Sequence, residues 1–427
     1  MPTLKAAGLL DVEAGEIVRP GVVRIADDRI VAVGRADNAA DVGRADDAAA
    51  VGRADDAAEG DVIDLGDSIL LPGLMDMEVN LLMGGRGENP GLSQVQDDPA
   101  TRVLRAVGNA RRTLRAGFTT VRNLGLFVKT GGYLLDVALA KAIDAGWIDG
   151  PRVIPAGHAI TPTGGHLDPT MFAAFMPGAL ELTIEEGIAN GVDEIRKAVR
   201  YQIKHGAELI KVCVSGGVMS LTGEAGAQHY SDEELRAIVD EAHRRGLRVA
   251  AHTHGAEAVK HAVACGIDCI EHGFLMDDEA IQMLVDNDRW LVTTRRLAEA
   301  MDVSRAPKAL QDKAAEMFPK ARTSIKAAYE AGVKIAVGTD APAIPHGKNA
   351  DELVTLVDWG MPPAAVLRAA TVVAADLISK PDLGRIAEGF LADIIAVPGD
   401  PLTDISVTRD VNFVMKGGKV FKNDCAN

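Results

Sequence analysis

Basic residues are in short supply: 45 Lys and Arg stand against 61 Asp and Glu, for a net charge of −16. A nucleic-acid or anionic-membrane partner is disfavoured, because such a surface repels phosphates. Cysteine is scarce as well. Cys213, Cys265, Cys269 and Cys425 form no CxxC pair. No disulfide framework is expected, and buried thiols in a reducing cytosol are favoured over a zinc knuckle at Cys265 and Cys269. No apolar run reaches the roughly 18 residues of a membrane span. Residues 1–30 lack a basic start followed by an apolar core, so no secretory signal and a cytoplasmic location are expected. There is no GxSxG elbow, which disfavours Ser-His-Asp hydrolysis on that pattern. Aromatics are only 4% of the chain, so the core must be built mainly of Ala, Val, Leu and Ile.

At 427 residues, one large domain plus an accessory one is the natural prior. The most informative stretch runs from Leu247 to Gly273. Two short apolar runs each reach a histidine and then a glycine, at His252-Thr253-His254-Gly255 and Glu271-His272-Gly273. Ala256 to Cys265 between them reads as a helix. Strand, helix, strand in that order puts His252 and His272 at the same end of a parallel sheet, where α/β proteins bind ligands. A third buried-strand pattern, Val333 to Thr339, ends on Asp340. Two histidines and an aspartate at strand ends point to a metal site on a barrel rim.

The remaining chain fits that frame. Gly21–Ile25 and Arg29–Val33 read as antiparallel strands around a turn. Val-Gly-Arg-Ala-Asp then recurs from Val33, Val42 and Val51, a period of nine. The repeat at 33–58 reads as a duplicated surface loop; its functional alternative, a calcium-binding β-roll, lacks the GGxGxD pattern. Strands are expected at 70–79, 117–124, 152–157, 208–215, 247–252, 267–271, 290–294 and 334–339. Helices are expected at 99–116, 133–145, 190–206, 232–245, 256–265, 277–287, 308–331 and 363–378. Eight strands with intervening helices predict a (β/α)8 TIM-type barrel over 67–388. Strands at 389–397, 411–416 and 419–422 have no barrel partner. They are expected to join residues 1–66 in a small β-sandwich domain built from both chain ends, 1–66 and 389–427.

Asp76, Glu78 and Asn80 alternate on the first barrel strand and share one face. Asp340 reads either as a cap for the next segment or as ligand and general base. His254 is a second ligand or a loop residue. Lys211, inside an apolar strand, reads as an ion-paired lysine. His166 and Tyr230 lie in loops able to hold a substrate carboxylate. Ser231 with Glu234 forms a helix-start box.

Together these segments resemble the amidohydrolase superfamily, and within it the Xaa-Pro dipeptidase and imidazolonepropionase-like branch. The resemblance is carried by Leu71-Pro72-Gly73-Leu74-Met75-Asp76-Met77, Ile210-Lys211-Val212, Ala251-His252-Thr253-His254-Gly255, Ile270-Glu271-His272-Gly273, Gly338-Thr339-Asp340-Ala341 and Gly384 to Gly389. It implies one or two divalent metals, usually Zn2+. Lys211 would be a carbamate bridging two metals, and His252 and His272 would bind the second. Asp340 would bind the first metal and relay the proton. His166 and Tyr230, with His254, resemble substrate-binding positions. The chain departs from the family where the first strand usually ends His-x-His: Glu78 and Asn80 stand there as weaker ligands. The implied function is metal-dependent hydrolysis of an amide C–N bond, in a dipeptide or N-acyl amino acid. The alternatives are cyclic or xenobiotic amides or esters, and a catalytically silent small-molecule-binding barrel. Homo-oligomers are expected by analogy.

Overall fold

The computed structural model describes residues 1–34, 62–84, 93, 96–170, 176, 178, 180–220, 223–301, 303–304 and 306–425. The repeat, from residue 35 onward, lies outside the described residues. In chain order the first strands are β1 (Thr3–Ala6), β2 (Gly8–Asp11), β3 (Glu16–Val18), β4 (Gly21–Ala26), β5 (Arg29–Gly34), β6 (Val62–Asp64) and β7 (Ile69–Pro72). Next come β8 (Leu74–Val79), β9 (Phe118–Asn123), β10 (Arg152–Pro155), β11 (Ile210–Cys213), β12 (Val249–Gly255), β13 (Cys269–Leu275), β14 (Trp290–Thr293) and β15 (Lys334–Val337). The last are β16 (Ile394–Val397), β17 (Phe413–Lys416) and β18 (Lys419–Asn423). The helices are α1 (Pro99–Arg115), α2 (Leu135–Asp144), α3 (Gly191–His205), α4 (Asp232–His243), α5 (Ala256–Ala264) and α6 (Asp278–Asp286). They continue with α7 (Arg295–Ala300), α8 (Lys308–Glu330), α9 (Ala350–Asp358), α10 (Pro363–Ala369) and α11 (Val372–Leu377).

The chain divides into two compact units. One holds Met1–Met75, Leu114–Thr119 and Pro362–Asn427; the other holds Asp76–Thr113 and Thr120–Met361. These cuts fall later than 66/67 and earlier than 388/389. The first unit claims Ile69–Pro72 because β7 pairs with β2 and β16 rather than continuing into β8. The expected single strand 70–79 is therefore two strands. Gly73 makes the break possible: a Cβ there would lie 2.1 Å from Thr119 Oγ1. Strands from both chain ends share one sheet of order β18-β17-β16-β7-β2-β3, the C-terminal three on one side and the N-terminal three on the other, and a second sheet has the order β5-β4-β1-β6. Leu4, Val23 and Ile25 of the second sheet share a buried cluster with Leu70, Ile394 and Phe413 of the first.

The other unit contains the site. Its strands are apolar, and β11, β12, β13 and β14 lie in one parallel sheet that ends on β15. Near-continuous apolar runs are what strands covered on both faces require. The smaller sheet has the order β10-β9-β8. Isolated parallel bridges pair Val79 of β8 with Ala341, which follows β15, and Ile160, which follows β10, with Val212 of β11. Expected elements appear with ends shifted by a few residues. The expected helix 363–378 is divided at Ala370 and Thr371, and α7 and α9 were not anticipated. Among the described residues, no helix is long and apolar enough to cross a membrane.

Candidate active site

The strand ends converge on a cavity of about 260 Å³. Glu78 comes from β8, with Asn80 just beyond it. Lys211 comes from β11, His252 and His254 from β12, His272 from β13, and Asp340 from the turn after β15. His166 reaches the same cavity from its loop. Sequence positions up to 262 residues apart thus meet in one place, as the strand-end rule for α/β folds requires. His272 (φ 71°) and Asp340 (φ 54°) both hold left-handed backbone, which non-glycine residues adopt mainly where their surroundings enforce it. At His272 the enforcement is visible. Its carbonyl accepts a bond from the Arg295 guanidinium, and its Nδ1 lies 2.8 Å from Thr294 Oγ1.

Asp76, on the same strand as Glu78, is structural. Its carboxylate accepts bonds from Glu78 N (3.1 Å), Thr339 N (3.0 Å), Thr339 Oγ1 (2.6 Å) and Asn349 Nδ2 (2.7 Å). It ties β8 to the Asp340 turn, where Asp340 N donates to Glu78 O at 2.7 Å. The neighbouring side chains keep free capacity. Asn80 Nδ2 donates to Gly125 O at 3.1 Å, while its Oδ1 is buried without a partner. Glu78 Oε1 lies 3.3 Å from Lys211 Nζ and 3.6 Å from His272 Nε2, while Oε2 has no partner. His252 Nε2 and His254 Nδ1 are also buried and unpartnered. The three histidines offer ring nitrogens that all lie within 4.8 Å of one another.

Burial sets the charges. It holds His252 and His272 well below the usual imidazole range, helped for His252 by the His166 and His254 rings beside it. His254 is pushed down to about 3, again by burial first and then by Arg295 and Lys211. Neutral imidazoles have lone pairs free to coordinate. Burial raises Glu78 well above its ordinary value against the pull of Lys211, and raises Asp340 to about 7 against the same pull. Burial alone would lower Lys211, but Glu78, Glu271 and Cys213 together outweigh this and raise it. Lys211 Nζ and the Glu78 carboxyl form a buried pair 3.3 Å apart.

Behind the cavity lies a pair that sequence reasoning missed. Arg122 Nη2 meets Glu271 Oε1 at 2.7 Å, and Arg122 Nε donates to Met77 O at 2.6 Å. Both side chains are buried, and they brace the residues preceding Glu78 and His272. The available signal was a lone charge inside each of two apolar strands. Tyr230, by contrast, is buried but does not line the cavity. Just before it, His229 N donates to Val214 O, the residue after β11, at 2.9 Å. His166 does line the cavity, but it stacks on His252 with centroids 3.8 Å apart and places Nδ1 2.8 Å from Ser220 Oγ.

Three neutral imidazoles, two of them with an unpartnered ring nitrogen, form a donor set that fits a borderline divalent ion. The amidohydrolase family model matches residues 69–421. Ochratoxinase from Aspergillus niger is 35% identical over 380 residues, 83% of this chain and 76% of that protein. A solved Xaa-Pro dipeptidase with methionine bound in its active site is 34% identical, with a TM-score of 0.87 over 99% of this chain and 100% of that one. A prolidase complexed with N-methylphosphonate-L-proline is 31% identical, with a TM-score of 0.84 and 99% of each chain covered. With a match over most of its length, the chain belongs to the amidohydrolase family and is a hydrolase.

Proposed function

We propose that the chain is a metal-dependent hydrolase of amide bonds in small substrates. The observation that carries this reading is the buried, neutral histidine cluster beside Asp340 at the strand ends. The unit containing Asp76–Thr113 and Thr120–Met361 is the catalytic domain, and its two sheets form one (β/α)8 barrel. The bridges at both sheet edges support that closure. The terminal strands form a β-sandwich domain from both chain ends.

His252 and His272 hold a divalent ion, zinc by the chemistry of the donors, with His254 and Glu78 within reach of the same cluster. A bound ion supplies Lewis acidity toward the scissile carbonyl and lowers the pKa of water. Asp340 accepts a proton from the attacking water and returns it to the leaving nitrogen. Glu78 and Asn80 replace imidazoles, so a second ion binds more weakly if at all. The carbamate role implied for Lys211 requires a neutral amine, and therefore requires its pair with Glu78 to break. His166 contributes by stacking on His252 as well as by lining the cavity.

The substrate class is an N-acyl amino acid or dipeptide. The ochratoxinase and prolidase relatives support an amide substrate. Met83, Leu124, Phe127, Val218, Leu297 and Met301 line the cavity, which favours an apolar group on one side of the amide. The test combines elemental analysis of protein purified without chelator with turnover of an N-acyl amino acid and dipeptide panel. Metal at one or two ions per chain with hydrolysis is expected. Asp340→Asn should retain the fold and lose at least about 100-fold in turnover. Absence of both metal and turnover, after zinc or manganese is supplied with bicarbonate, would leave a silent binding barrel.

A further inference from the structure

A second cluster of metal-type donors lies away from the cavity lining, where α4 meets α5. Asp232 is the first residue of α4 (Asp232–His243). His261 lies in the last turn of α5 (Ala256–Ala264), and Cys265 follows as its C-cap. Spacing of i and i+4 puts His261 and Cys265 on one helical face. One oxygen, one nitrogen and one sulfur from these residues lie within 4.8 Å of one another.

Ordinary structural roles leave part of this cluster unexplained. Asp232 Oδ2 is taken by Arg236 at 2.9 Å, one helical turn along. Its other oxygen, Oδ1, lies 2.9 Å from His261 Nε2. That approach is close, yet it is not in line for a hydrogen bond, and both ring nitrogens of His261 are buried with no hydrogen-bond partner. The His261 side chain is only 9% exposed. A buried polar atom left in that state costs about 1–3 kcal/mol. A carboxylate oxygen and an imidazole nitrogen that approach each other without bonding are placed as two ligands of one ion would be. Cys265 is buried at the same point, where burial and then Asp232 hold its thiol above the usual range.

We infer that Asp232, His261 and Cys265 form a peripheral site for a thiophilic divalent ion of the Zn2+ or Co2+ class, completed by water. Thiolate and imidazole select zinc or cobalt over magnesium or calcium. Binding forms a sulfur–metal bond, and the thiol proton leaves to solvent. The ion cross-links α4 to α5, the helices on either side of β12 in the chain. That strand carries His252 and His254, so the site braces the catalytic strand from outside.

Cobalt titration of the full-length chain tests this directly. The three-histidine cluster at the cavity has no cysteine donor, so a near-ultraviolet thiolate-to-cobalt charge-transfer band that depends on Cys265 reports on the peripheral site. The band is expected in the parent chain, in His252→Ala and in Cys213→Ser, and is expected to vanish in Cys265→Ser. Asp232→Asn, an exposed position safe for folding, should weaken cobalt binding read from the band by more than about tenfold. No band in the parent chain, or a band surviving in Cys265→Ser, overturns the site. If circular dichroism shows Cys265→Ser unfolded, unchanged cobalt affinity in Asp232→Asn overturns it instead.

Discussion

Replacing Glu78 by Gln isolates the electrostatics of the cavity. Lys211 Nζ is buried with Glu78 Oε1 3.3 Å away. At that separation and an effective dielectric of 20, the pair is worth about 5 kcal/mol of direct attraction. Glu271 also attracts the Lys211 ammonium and softens the loss. The net expectation is a destabilisation of about 3–4 kcal/mol, near the low end for stranding one member of a buried ion pair. Adding Lys211→Met should restore most of it, because the stranded charge then disappears. The assay is urea unfolding of chelator-treated protein, comparing both single variants with the double. A cost below about 1 kcal/mol for Glu78→Gln, or a double variant as unstable as the two singles combined, would refute the ion-pair account.

Arg122→Met should cost about 3–5 kcal/mol by the same logic, since Glu271 is then left buried and unpaired; Glu271→Gln placed on top should recover part of it in urea midpoints. Gly125 holds φ +89°, and a Cβ there would sit 2.9 Å from both Ala159 Cβ and Lys211 Cγ. Gly125→Ala should therefore lose at least about 1–3 kcal/mol, and a neutral midpoint would show that the loop relaxes freely. His158 is held neutral, its pKa lowered by burial from 6.5 to about 4. The unfolded chain then binds the extra proton between those values, so stability present above pH 6.5 falls as pH drops toward 4. The single-site contribution is about 3 kcal/mol. In His158→Gln that fall should shrink by one proton's worth of slope in urea stability against pH, and an unchanged slope would remove the claim.

Much of the site was legible because a few local patterns are chemically specific. An apolar run ending in histidine and glycine marks a buried strand reaching the ligand end of a sheet, and the three residues so marked, His252, His254 and His272, line the cavity. Asp340 and Lys211 were legible for the same reason, as polar residues closing or interrupting apolar strands. Asp76, Glu78 and Asn80 show the limit of periodicity. Alternation put all three on one face, but only contacts from Thr339 and Asn349, far along the chain, saturate Asp76, while Glu78 and Asn80 each keep one unpartnered oxygen. Tyr230 does not line the cavity, and its neighbour His229 bonds to Val214 O just past β11, a contact that no local pattern encodes.

The sequence by itself determined the order of strands and helices, the apolar character of each strand, and the residue types waiting at the strand ends. Those follow from side-chain periodicity and backbone preference, which act over a few residues. Tertiary structure decided the rest. It broke the strand at Gly73 because β7 found β2 and β16 as partners. It paired Lys211 with Glu78 and Arg122 with Glu271. Charge pairing inside a protein depends on distance and burial, and both exist only once residues distant in sequence have been packed together.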